Sequence, residues 1–242
     1  IVRGAPEIWA LKDMLVSSMR MRGGDTQADE VSNWCGEGQP PSALTLAHFS
    51  NLLLDMKRAF IMPALLADFV KEIGFAEPLS VESGAPRFNV PKEVEEEFLG
   101  YDDIVDPAVF GKAGDDPTFH HMWVGGYYPL RDVGRPHLGF NPNAWCALQD
   151  LDDRSCLIFF PDAYQDPSCD GDYYKFSDGP DPARWGFGEP LMVRANFGDV
   201  VLFDADHLHS SPRTSGDYSR LSWEIRIMER CFDDVGWYRL GY

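Results

Sequence analysis

The chain has 242 residues, 44% of them hydrophobic and 13% aromatic, enough apolar material for one folded domain and too much for a disordered segment. Its 39 acidic against 21 basic side chains leave a net charge of −18, a field that repels nucleic acid and anionic lipid; it reads as a solvated acidic surface, with attraction of a cationic small substrate the alternative. No apolar run approaches the ~20 residues that span a bilayer, so neither nucleic acid nor a membrane is an expected partner.

Five cysteines (Cys35, Cys146, Cys156, Cys169 and Cys231) form no CxxC pair and no even set, the usage of reduced thiols in a cytoplasmic chain. Cys146 and Cys156 lie in apolar, strand-like stretches and are expected in the core.

After a short lead-in, Pro6 suits a helix start, and Trp9, Leu11, Met14, Leu15 and Met19 recur at helical spacing until Gly23-Gly24. Residues 25–42 are polar with turn formers and read as a loop, in which Trp34 and Cys35 have no assigned role. From Ser42, the residues Leu44, Leu46, Phe49, Leu52, Leu53 and Met56 mark a second helical face, and residues 60–73 continue it after a break near Pro63. These stripes are core packing, a buttress for a sheet. Residues 85–91 read as a strand, with Arg87 a candidate to face a site, and residues 92–99 as a short acidic helix.

From Phe119 onward the texture is all β. Residues 119–128, 145–148, 156–160, 191–194, 199–203 and 220–228 are rich in aromatic or β-branched side chains and bounded by turn formers. Residues 161–188 are dense in Asp, Gly and Pro and read as a long loop or lid. The expected fold is therefore α+β, one domain over 1–242, with a helical buttress over about 1–75 and a double-sheet jelly roll over about 85–230.

Two stretches carry chemistry. The first is Arg135-Pro136-His137-Leu138-Gly139-Phe140; the second is the apolar run from Gly198 through Phe203 that ends in His207-Leu208-His209, with Arg220 eleven residues on. Strand residues i and i+2 share a face, so His137 would share one with position 139, and His207 and His209 have matching parity. A planar, permanently charged guanidinium such as that of Arg220 suits a buried carboxylate, which it can hold through two parallel hydrogen bonds.

Together with the strand-turn-strand segment 145–164 and the Ser210-Ser211-Pro212 that follows His209, these motifs resemble the phytanoyl-CoA hydroxylase-like branch of iron(II)- and 2-oxoglutarate-dependent enzymes, over about residues 119–228. The resemblance implies a double-stranded β-helix core, metal ligands at His137 and His209 in preference to His207, and 2-oxoglutarate bound by Arg220, with Arg226 in reserve and Ser211 or Ser222 as further donors. That branch usually keeps Asp or Glu two residues after its first histidine, completing a two-histidine, one-carboxylate triad. Here the position is Gly139, which offers no ligand and leaves room for chloride or bromide on the metal.

His-x-Gly at this place resembles the halogenases of the family, and the short chain is more like those acting on free amino acids than those acting on carrier-bound substrates. What this implies is halogenation of an unactivated sp3 carbon of a small polar substrate, using Fe(II), 2-oxoglutarate, O2 and chloride, by hydrogen abstraction and halogen rebound. The alternative is an Fe(II)/2-oxoglutarate hydroxylase of a natural-product precursor, with the missing ligand drawn from Asp150, Asp152 or Asp153, or with the first histidine at His120 or His121. A third possibility, a cupin-type barrel using His207 and His209 as an HxH pair, lacks the glutamate that usually follows. Trp237 is a candidate for an aromatic wall around the substrate.

Overall fold

The computed structural model describes residues 1–56, 80–82, 85–98, 100–101, 103–104, 142–153, 155–163, 188–204, 207, 209–210, 218–228 and 237–239. The lead-in is tied to the sheet at once, because Val2 and Val200 exchange two backbone hydrogen bonds of 2.9 Å. Pro6 then opens helix α1 (Pro6–Gly23), where its missing N–H leaves nothing unmade. Glu7 in the first turn and Arg20 and Arg22 in the last complement the helix dipole, while Ile8, Leu11, Leu15 and Met19 bury one face. Gly24, at φ +98°, ends it.

Residues 25–37 depart from the expected loop and form helix α2 (Asp25–Glu37). The signal was sparse but present: Ala28, Val31, Trp34 and Cys35 sit at three- and four-residue spacing and are all fully buried. The polar residues between them are the solvent face of a helix that starts at Gly24 without a side-chain cap, which is why composition alone suggested turns. Helix α3 (Ala43–Met56) follows, its start held by the Glu30 carboxylate, which accepts hydrogen bonds of 2.7 Å from both the backbone N–H and the hydroxyl of Ser42. Burial works to raise the Glu30 carboxyl, but the hydrogen bonds from Thr45 and Ser42 outweigh it and hold the group below its ordinary value.

The remaining elements are β1 (Ser80–Glu82), β2 (Ala85–Asn89), helix α4 (Lys92–Phe98), β3 (Pro142–Ala147), β4 (Leu157–Phe159), β5 (Leu191–Val193), β6 (Val200–Asp204), β7 (His209–Ser210), β8 (Arg220–Met228) and β9 (Trp237–Arg239). Strands β6, β3, β8, β1 and β9 lie side by side in an antiparallel sheet, with β2 pairing the first half of β8 on the edge where β1 pairs its end. A second antiparallel sheet runs β5-β4-β7. The strands expected at 145–148, 156–160, 191–194, 199–203 and 220–228 appear as β3, β4, β5, β6 and β8. The expected helix at 60–73, the strand at 119–128 and most of the 161–188 loop lie outside the described residues.

Alternation along the strands divides the core into two layers. Ala144 and Cys146 of β3, Val200 of β6, and Leu221, Trp223 and Ile225 of β8 pack with the helices; Trp145, Ala147, Val201 and Phe203 pack with Leu157 and Phe159 of the second sheet. In the helical layer Trp34, Phe49 and Phe88 meet at ring-centroid distances of 5.4, 5.7 and 6.5 Å, locking α2, α3 and β2 together. Each such fully buried side chain contributes roughly 1.5–3 kcal/mol through burial, and edge-on ring pairs add about 0.5–1.5 kcal/mol. Cys146 and Cys156 are buried as expected, as is Cys35, and all three are free thiols. No helix among the described residues is long and apolar enough to cross a membrane.

Candidate functional site

The face of the large sheet that turns away from the helices carries the polar residues of interest. Since Leu221, Trp223 and Ile225 point to the helices, Arg220, Ser222 and Glu224 point to the second sheet. Directly paired residues share a face, so Asn143, Trp145 and Ala147 of β3 and Asn89 of β2 point the same way.

His209 enters this interior from the opposite sheet. It pairs with Phe159 on β4, is 8% exposed, and has its ring 4.8 Å from Phe203 and 6.0 Å from Phe159. Its Nδ1 lies 2.9 Å from the carbonyl oxygen of His207. A carbonyl can only accept, so Nδ1 carries a proton and donates it, and Nε2 is the nitrogen left to meet a metal. A neutral imidazole anchored this way is the form that ligates a metal, its orientation fixed by the second nitrogen's hydrogen bond. His207 has a different part: its backbone supplies the anchor, its N–H closes a turn onto the Asp204 carbonyl at 2.9 Å, and its ring stands edge-on to Phe159 at 5.8 Å. Among the described residues no three His, Cys, Asp or Glu side chains form a metal cluster. His137 and Gly139, together with His120, His121 and Ser211, lie outside the described residues.

Arg220 opens β8 and is only 3% exposed, with its guanidinium 5.5 Å from the centre of the Trp145 ring. An indole face steadies a cation in a desolvated setting by about 2 kcal/mol. The position is fixed from both sides. Gln149, fully buried, accepts a 2.7 Å hydrogen bond from the Leu221 N–H and donates to the Ser219 carbonyl at 3.0 Å and to the Tyr218 hydroxyl at 2.8 Å. The Ser219 N–H in turn donates to the carbonyl of Gly38 at 2.9 Å. Gly38, at φ +70°, has to be glycine: a Cβ there would lie 2.6 Å from Gln149 Nε2 and 2.7 Å from Tyr218 Cε2.

Phe203, which touches His209, pairs with Asn143, and Trp145 lies two residues further along β3. The Trp145 ring beneath the Arg220 guanidinium and the Phe203 ring beside His209 thus belong to one apolar interior. A potential metal ligand and a buried cation stand on one aromatic-lined interior. Iron(II) fits the donor character of His209, and an anionic co-substrate fits Arg220.

The other candidates are placed differently. Asp150, Asp152 and Asp153 follow the end of β3 away from His209; Asp150 accepts from the Phe197 N–H at 2.7 Å, and Asp153 holds Arg194 through two bonds of 2.7 and 2.8 Å. That end of the sheet is wrong for a third ligand beside His209. Ser222 is fully buried next to Arg220, Arg226 pairs with Asn143 on β8, and Trp237 opens the edge strand β9 opposite Glu82. The sequence reading missed Asn89 and Gln149. Asn89 was legible only as an inward position of the expected strand, two residues after Arg87; Gln149 had no sequence signal, since its role comes from contact with β8.

No protein-family model matches the chain, and no curated protein sequence matches it. Among solved structures the chain is similar to the non-haem alpha-ketoglutarate-dependent epimerase SnoN from nogalamycin biosynthesis, with a TM-score of 0.39 and 16% identity over 67% of this chain and 52% of that one. It is also similar to the non-haem alpha-ketoglutarate-dependent carbocyclase SnoK from nogalamycin biosynthesis, with a TM-score of 0.42 and 17% identity over 88% of this chain and 74% of that one. AviO1 from Streptomyces viridochromogenes Tue57 aligns with a TM-score of 0.31 and 21% identity over 43% of this chain and 46% of its own. The chain thus spans about half the length of the epimerase and of AviO1.

Proposed function

We propose that the chain is an iron(II)- and 2-oxoglutarate-dependent halogenase with a double-stranded β-helix core, placing chloride or bromide on an unactivated sp3 carbon of a small polar substrate such as a free amino acid. The observation that carries the enzyme class is the shared interior of His209, its Nδ1 proton given to the His207 carbonyl, and Arg220, buried over Trp145. In this reading His137 and His209 hold the metal, and Arg220 takes the distal carboxylate of 2-oxoglutarate. When bound, iron with 2-oxoglutarate and O2 supplies the oxidation of an unactivated C–H bond, with the co-substrate released as succinate and CO2.

The protein's own contribution is positioning and dryness. The His207 carbonyl engages Nδ1 of His209 and orients the ring, so that Nε2 is the nitrogen left to face a metal. Phe159 and Phe203 flank that ring and exclude water from it. Gln149 and Gly38 fix the backbone on either side of Arg220, so the guanidinium is pre-oriented before any carboxylate arrives.

Gly139 supports the halide part of the reading from sequence. Two histidines leave one more metal position than the usual triad, and a residue without a side chain leaves the volume an anion needs. The reaction balances as substrate C–H, chloride, a proton, 2-oxoglutarate and O2 going to substrate C–Cl, succinate, CO2 and water. The net charge of −18 favours cationic amino acids among the candidates.

The test is turnover of 2-oxoglutarate by the full chain loaded anaerobically with Fe(II), then exposed to O2 with a panel of free amino acids, with and without chloride. Chlorinated product and succinate appearing together support the proposal. A hydroxylated product at every chloride concentration replaces it with the hydroxylase, and no binding of iron or 2-oxoglutarate removes the enzyme class.

A further inference from the structure

Asn89 is the last residue of β2 and pairs directly with Arg220, the first of β8. Cβ atoms of such a pair are about 5 Å apart and project from one face. Its neighbours Phe88 and Val90 belong to the helical layer, so the alternation of the strand sends Asn89 inward, beside Arg220. The side chain is 2% exposed, and among the described residues neither its amide nitrogen nor its amide oxygen has a hydrogen-bond partner. A primary amide closed off from water with both ends unmet is unfavourable for the fold, and an aliphatic residue would fit a strand interior better. The backbone gives no reason for the choice either, since β2 is an ordinary antiparallel strand with Phe88 anchored in the Trp34–Phe49 cluster.

We infer that Asn89 is a second donor to the carboxylate held by Arg220, so that Asn89 and Arg220 together form one buried carboxylate subsite. The inference rests on the proposed role of Arg220 as the 2-oxoglutarate arginine. Arg220 supplies charge and a planar fork; the Asn89 amide N–H supplies a neutral donor from the adjoining strand, fixing the carboxylate's rotation where one residue would leave it free to pivot. Ser222, two residues along β8 and fully buried on the same face, borders the subsite on the side of Trp145. The unmet amide is then a group kept for a ligand, at a cost to the empty protein.

That cost makes the inference testable apart from turnover. The full chain and its Asn89→Leu and Asn89→Val variants, loaded anaerobically with Fe(II), are titrated with 2-oxoglutarate in a calorimeter, with Arg220→Ala as reference. Thermal unfolding of the same proteins is measured without ligand. Losing a hydrogen bond to a charged group predicts that both Asn89 variants bind 2-oxoglutarate about ten- to a hundredfold more weakly. Their Tm without ligand should stay level or rise. If wild type binds and the variants bind within twofold of it, Asn89 is no donor and the inference is overturned with the co-substrate reading intact. If both variants lose Tm without ligand, the amide serves the fold and the inference is overturned as well. If wild type does not bind 2-oxoglutarate, the reading beneath it is what has failed.

Discussion

The guanidinium of Arg220 lies 5.5 Å from the centre of the Trp145 ring, a buried cation resting on an indole supplied by the neighbouring strand. In the proposed reading the pair joins stability to function, because the ring that fills the interior between the sheets also steadies the charge that would meet a carboxylate. Trp145→Ala should cost about 3–5 kcal/mol by denaturant titration, through lost burial and the cavity it leaves. Trp145→Phe should keep most of that stability, yet bind 2-oxoglutarate measurably more weakly, because a phenyl face holds a cation less well.

The two histidines of the second motif should separate cleanly. His209→Ala removes the side chain with the available Nε2 and should abolish Fe(II) binding by anaerobic titration. His207→Ala should retain it, because what His209 draws from His207 is a backbone carbonyl that the substitution leaves in place. Equal loss in both variants would mean that the two rings act as a metal pair.

Gly38 and Gln149 form a brace behind Arg220 through the backbone of Ser219 and Leu221. Gly38→Ala meets both a left-handed backbone and a Cβ only 2.6 Å from Gln149 Nε2, and should destabilise the protein by about 2–4 kcal/mol. Gln149→Leu leaves the Leu221 N–H buried without its acceptor and should cost about 1–3 kcal/mol. Both should also lower affinity for 2-oxoglutarate, whereas Asp153→Ala, which breaks only an exposed pair with Arg194, should leave it unchanged.

Burial sets the alkaline limit of stability. It pushes the Cys35 thiol from 9.0 up to about 12 and the Cys156 thiol up to about 11, and it raises Cys146 further still. A raised thiol pKa means that the folded state holds its proton while the unfolded chain has released it, so stability is intact below about pH 9 and falls as pH rises toward 11–12. Denaturant midpoints should therefore decline above pH 9, and a Cys35→Ala, Cys156→Ala variant should show a shallower decline. These three thiols should resist disulfide-exchange reagents at pH 8 until the protein unfolds.

The sequence was most legible where its periodicity was dense. The stripe in α1 and the β-branched and aromatic runs in β6 and β8 predicted elements within a residue or two of where they lie, while β3 begins three residues before the expected 145. Helix α2 was lost because four buried residues among nine others carried the whole pattern and no side-chain cap announced its start. Arg220 and His209 were singled out through the family resemblance, which attaches a role to a residue type at a given place in the motif. Asn89 and Gln149 could not be: one is defined by what faces it across β8, the other by a network joining Gly38, Tyr218 and Leu221 from distant parts of the chain. Such roles exist only after folding.

The proposed halogenation turns on Gly139, and replacing it is the most direct measurement. Wild type and Gly139→Asp are each loaded with Fe(II) and 2-oxoglutarate, given a turned-over substrate, chloride and O2, and their products are resolved by mass spectrometry. The account predicts chlorinated product from wild type and none from Gly139→Asp, in which a carboxylate fills the halide's place while 2-oxoglutarate still binds. Undiminished chlorination by Gly139→Asp would contradict it.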